Sequence, residues 1–75
     1  MLKAAIEYAI KMIVDDQNNV SVLEQHDGNK LILNIQVASH DVARVIGKEG
    51  RTIKALRKLA RLIGPSDKEI SIDIK

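Results

Sequence analysis

The chain has 75 residues, 45% of them hydrophobic and 29% charged, with a formal net charge of +2. That length holds one domain with a modest core. With no cysteine, disulfide staples, thiolate metal sites and cysteine nucleophiles are excluded, and with Tyr8 as the single aromatic residue there is little scope for recognising flat ligands by stacking.

Apolar residues at Leu2, Ala5, Ile6, Ala9, Ile10 and Ile13 follow the i, i+3, i+4 spacing of one helix face, which predicts a first helix packed on a core. Lys3, Glu7 and Lys11 break its apolar runs, so neither a signal peptide nor a membrane span is expected and the protein should be cytoplasmic. The turn formers of Asp15 to Asn19 end this helix. Val20 to Gln25 and Lys30 to Ala38 are rich in Val, Ile and Leu and read as two strands joined across His26-Asp27-Gly28-Asn29, with Asp27-Gly28 as the hairpin signal. In the second strand Leu31, Leu33, Ile35 and Val37 share one face.

Ser39 is placed to cap a new helix, with Asp41 in its first turn, and Val42 to Ile46 carries that short helix to Gly47. A longer helix is predicted after Gly50 and through Ile63, where Gly64-Pro65 stops it. Ile70 to Ile74 alternates as a last strand. The order is α-β-β-α-α-β, an α+β fold in which a three-stranded sheet packs against three helices, with residues 1–75 as a single domain.

Charge is uneven along this order. Residues 1–40 carry −2 and residues 64–75 carry −1, whereas residues 41–63 hold seven basic residues against Asp41 and Glu49 and carry +5. A basic segment of this kind marks a surface that meets polyanions. At its centre is Gly47-Lys48-Glu49-Gly50, between two helices. The glycines permit a tight turn and close approach of another molecule, and the helix that follows offers unpaired N–H groups and a positive dipole end, so the turn can accept a phosphate backbone. Along that helix Ile53, Leu56, Leu59, Ala60 and Ile63 fall on one side, to be core, while Arg51, Lys54, Arg57, Lys58 and Arg61 form a cationic ridge. Aspartate at both Gly47 and Gly50 is expected to block the clamp while sparing the core.

Other chemistry has less to stand on. A nucleotide-binding P-loop requires G-x-x-x-x-G-K-[ST], which this loop lacks. His26 and His40 are isolated, and Asp15-Asp16 reads as a polar helix stop, so no catalytic constellation, metal or cofactor is expected and the chain reads as a binding module rather than an enzyme. Two rivals remain: a helix-turn-helix DNA binder built on residues 41–63, and a protein-interaction module using an apolar patch near Leu62.

The nine residues Val45-Ile46-Gly47-Lys48-Glu49-Gly50-Arg51-Thr52-Ile53 resemble the V-I-G-x-x-G-x-x-I motif of the K-homology (KH) domain, whose GXXG loop clamps single-stranded RNA or DNA. The element order is similar to the type II arrangement of that domain, and the length and the GKEGRTIKALRKL run resemble the small bacterial KhpA-like family of RNA-binding proteins. The resemblance implies single-stranded RNA binding with little sequence preference, in the service of post-transcriptional regulation or RNA chaperoning. It also implies pairing, as a homodimer or with a larger KhpB-like protein. Gly47 and Gly50 would then shape the clamp, Lys48 would meet phosphates, Arg51 and Lys54 would extend the contact, and Arg44, Arg57 and Lys58 would flank it. Ile46 would help floor an aliphatic groove, and Glu49 departs from the pattern by placing a negative charge in the loop. Self-association is expected around Leu59, Leu62 and Ile63.

Overall fold

A computed structural model describes residues 1–74. Its elements are α1 (Leu2–Ile13), β1 (Ser21–Asp27), β2 (Lys30–Gln36), α2 (Val42–Ile46), α3 (Arg51–Ile63) and β3 (Glu69–Ile74), with short 3-10 turns at Gln17–Asn19, Ser39–Asp41 and Lys48–Gly50. The α-β-β-α-α-β order and the α+β class are as the sequence predicts.

The sheet runs β1-β2-β3, with β1 antiparallel and β3 parallel to the central β2. The β1–β2 hairpin is tighter than expected, because pairing continues through Asp27↔Lys30 and leaves only Gly28 and Asn29 in the loop. Gly28 takes φ 60° and Asn29 does not have a positive φ. This is the order of a type II′ turn, which needs glycine at its first central position, so Gly28 acts through its own conformation rather than as the second half of an Asp-Gly pair. β3 cannot follow β2 through a tight turn, since parallel strands require a long crossover. That crossover contains α2, the glycine loop and α3.

One face of the sheet is apolar and covered. Val22 of β1, Leu31, Leu33 and Ile35 of β2, and Ile70 and Ile72 of β3 are buried with Leu2, Ile6 and Ile10 of α1 and with Val45, Ile53, Leu56 and Ala60 of the crossover helices. Full burial of such a side chain contributes about 1.5–3 kcal/mol. Registered partners share a face, so Leu23, Asn34 and Asp73 lie together on the other, open face, where the Asn34 side chain donates to Gln25 Oε1 at 3.3 Å.

Three readings of the crossover need correction. Leu59 and Ile63, expected in the core stripe of α3, are exposed, and only Ile53, Leu56 and Ala60 of that helix are buried. α3 lies over the edge strand β3, so a narrow side of it meets the core. Ser39 makes no side-chain cap bond. Asp41 is fully buried and its carboxylate makes no cap bond to α2, accepting instead the backbone N–H groups of Asp15 and Asp16, each at 3.0 Å. His40 Nε2 and Arg44 Nε also approach it at 3.5 Å. Asp41 thus ties the exit of α1 to the entrance of α2.

The bond from the Asp15 amide acts most strongly on this carboxyl, burial opposes it, and the Asp16 amide with the His40 and Arg44 charges tips the balance, holding the Asp41 pKa below its ordinary value. A depressed folded pKa means stability that is fully present above the unfolded value of about 3.9 and is lost as pH falls through the folded one. Asp41→Asn should therefore melt below the parent at neutral pH, and the gap should shrink as pH drops below about 4. Thermal melts followed by circular dichroism across that range check this, and a gap independent of pH counts against it.

The far end of the crossover is pinned by Gly64. Its φ of −82° suits any residue, yet a Cβ there would collide with Ile70 Cδ1, lie 2.7 Å from the Ala60 carbonyl oxygen and reach Leu2 Cδ2 at 3.0 Å. Its lack of a side chain, not a left-handed helix cap, is what the fold uses. Gly64→Ala should cost about 1–3 kcal/mol through overpacking, read as a lower Tm with unchanged secondary structure.

Candidate nucleic-acid interface

Gly64 sits against the start of β3, so α3 runs back along the sheet and its other end, with the glycine loop, lies towards the carboxyl ends of β2 and β3. The Gly47 N–H closes α2 on the Ala43 carbonyl at 2.9 Å. Gly47 then takes φ 79°, Glu49 φ 58° and Gly50 φ 74°. The left-handed region is open to glycine and costly for a residue with a Cβ, so the two glycines are conformational requirements.

They are not equivalent. A Cβ on Gly47 would collide with the Thr52 hydroxyl and come within 2.8 Å of its amide nitrogen, while one on Gly50 would meet only Lys54 Cε at 3.8 Å and Ile53 Cγ2 at 3.9 Å. The expectation that both positions accept aspartate without disturbing the structure therefore fails at Gly47, which has no room for a side chain, while Gly50 has the room but keeps the cost of a left-handed backbone. Thr52 falls on an unspecified position of the nine-residue motif, so no signal in the chain marks it as the residue packed over Gly47.

Within the turn the Gly50 N–H donates to the Gly47 carbonyl at 3.0 Å and the Arg51 N–H to the Lys48 carbonyl. Among the described residues no backbone acceptor takes the N–H groups of Lys48 and Glu49. These are the amides available to a phosphate oxygen, next to the positive end of α3.

Around them the cations divide into two sets. Arg44 Nε is held 3.5 Å from Asp41 Oδ1, and Arg51 Nη2 lies 3.3 Å from Glu49 Oε1. Lys48, Lys54, Arg57, Lys58 and Arg61 take part in no ion pair among the described residues. Lys54, Lys58 and Arg61 are exposed, and along the axis Lys58 stands about 6 Å and Arg61 about 10 Å beyond Lys54. Arg57 is half-buried and stands aside from this ridge.

The aliphatic residues sort as clearly. Ile53 and Val45 are core, whereas Ile46, just before the loop, remains 39% exposed. At the other end of α3, Leu62 is 73% exposed beside the half-exposed Ile63 and Leu59. His26 and His40 are exposed, and the described residues hold no cluster of three or more His, Asp or Glu side chains suited to a metal ion.

The profile of the KhpA/KhpB family, KH domain, matches residues 3–75. A protein of Chlamydia trachomatis, named RNA-binding protein KhpA, is 36% identical over 74 residues, covering 97% of this chain and 95% of its own. Proteins of the same name from Halalkalibacterium halodurans and Thermotoga maritima are 35% and 37% identical over 74 and 73 residues, each covering 97% of both chains. No solved structure matches the chain significantly. By the extent of these matches, the chain belongs to the KhpA/KhpB family of KH domains.

Proposed function

We propose that the protein binds single-stranded RNA, with the turn Gly47 to Gly50 as the backbone clamp and the α3 ridge as the track for the phosphates that follow. The observation that carries this reading is the pair of unbonded amides at Lys48 and Glu49, in a turn held open by left-handed glycines and followed at once by Arg51 and Lys54. Relatives over nearly the whole chain are named RNA-binding proteins, which supports it. Ile46 offers aliphatic surface for a base, and without an aromatic platform the contact is weak and tolerant of sequence. That suits a broad-specificity regulator or chaperone of RNA. No described helix is long and apolar enough to cross a membrane, and a cytoplasmic setting fits this role.

Gly50→Asp is the direct test. It adds a carboxylate beside the free amides in a conformation aspartate tolerates better than most residues, with no close contact in its way. Binding of a labelled unstructured RNA should weaken by about tenfold or more at low salt, in line with a charge-dominated contact, while circular dichroism stays unchanged. A folded variant with parental affinity would refute the clamp, and tighter binding of duplex DNA than of RNA at equal salt would favour a helix-turn-helix mode instead.

The same reading includes pairing, as a homodimer or with a larger KhpB-like chain. It is supported by the exposed apolar end of α3, where Leu62 stands clear of the core with Leu59 and Ile63 beside it. Two clamps on one assembly raise apparent affinity through effective concentration. Light scattering should find the parent as a dimer and Leu62→Glu as a folded monomer with weaker RNA binding. A parent that stays monomeric at high concentration rules out self-pairing through this surface.

A further inference from the structure

Glu49 is an unexpected residue for its place. Its φ of 58° and ψ of 24° lie in the left-handed region, where glycine, asparagine or aspartate would sit at lower cost. It is the only described non-glycine residue with a positive φ. Its carboxylate is 3.3 Å from the guanidinium of Arg51, the first cation of the ridge, and the side chains are 68% and 77% exposed. Its own N–H is one of the two amides in the turn without a backbone acceptor.

A carboxylate and a phosphate present the same feature to a guanidinium, a pair of anionic oxygens that fits its fork of N–H donors. We propose that Glu49 is a built-in anion that occupies Arg51 in the free protein, so that capture of a nucleic-acid strand is an exchange in which a phosphate displaces the Glu49 carboxylate from Arg51. This rests on the loop being the phosphate-binding site. Because the pair is exposed, the exchange is easily made, and its effect is to set affinity and salt response rather than to close the site. After the exchange Glu49 stays beside the strand and cancels part of the positive charge that would otherwise release counterions. Binding is then less salt-dependent than the number of cations along the edge implies.

Glu49→Gln is the matched probe, since glutamine keeps the size and the left-handed backbone demand and removes only the charge. Affinity for a short unstructured RNA is measured across a salt series for the parent, Glu49→Gln, Arg51→Ala, the double variant and Gly50→Asp, with folding checked by circular dichroism. Glu49→Gln should bind about two- to fivefold tighter at low salt, the range of an exposed ion pair, with a log–log salt slope steeper by up to about 0.7. In the Arg51→Ala background most of that gain should vanish, because no guanidinium is left to release. An equal gain in both backgrounds, or none in either, overturns the exchange while loss of binding in Gly50→Asp keeps the clamp. Indifference of binding to Gly50→Asp overturns both.

Discussion

The parallel alignment of β2 and β3 is the constraint from which the position of the candidate site follows. Antiparallel β1 and β2 are joined by Gly28 and Asn29, but to lay β3 beside β2 in the same direction the chain must return from the carboxyl end of β2 to the opposite end of the sheet. α3 makes that return, and the short α2 with the glycine loop leads into it. Val45 on one side of the loop and Ile53, Leu56 and Ala60 on the other are buried in the common core, so the turn is clamped between two docked helices. A backbone site built on such a turn is preorganised, and little ordering is left to be done on binding.

Two contacts distant from the loop hold this arrangement. Asp41 joins the start of α2 to the amides that follow α1, and Gly64 lets the end of α3 close onto Ile70 and Leu2. Asp41 is a buried charge whose desolvation is compensated by directed N–H donors, and the same carboxylate draws Arg44 inward. Charge that reads as available in the chain is thus partly consumed by the fold. Arg44 and Arg51 each lie beside an acid, and among the cations of residues 41–63 the unpaired ones are those further along α3, together with Lys48. α3 serves three surroundings at once: core along Ile53, Leu56 and Ala60, solvent along Lys54, Lys58 and Arg61, and an exposed apolar end at Leu62.

Inside the loop, packing and conformation divide the labour. Gly47 has a left-handed backbone and no room for a side chain, whereas Gly50 has the backbone requirement with open space around it. Both are G in the motif, and nothing local in the chain distinguishes them. The difference comes from Thr52, which the start of α3 brings back over Gly47.

Periodicity and turn chemistry alone determined the element order, the inward face of Leu31, Leu33 and Ile35, the glycine turn between two helices and the concentration of basic residues around it, because each depends on neighbours a few positions apart. Only the tertiary structure decided which strand runs parallel to which, that Asp41 pairs with amides 25 and 26 residues earlier, that Gly64 is needed for close approach, and that Leu59 and Ile63 stay outside the core. The helical repeat places a side chain on a face of α3, but how wide a face is covered depends on where the sheet ends. That edge is made by β3, the last strand to be added, and the sequence of the helix carries no information about it.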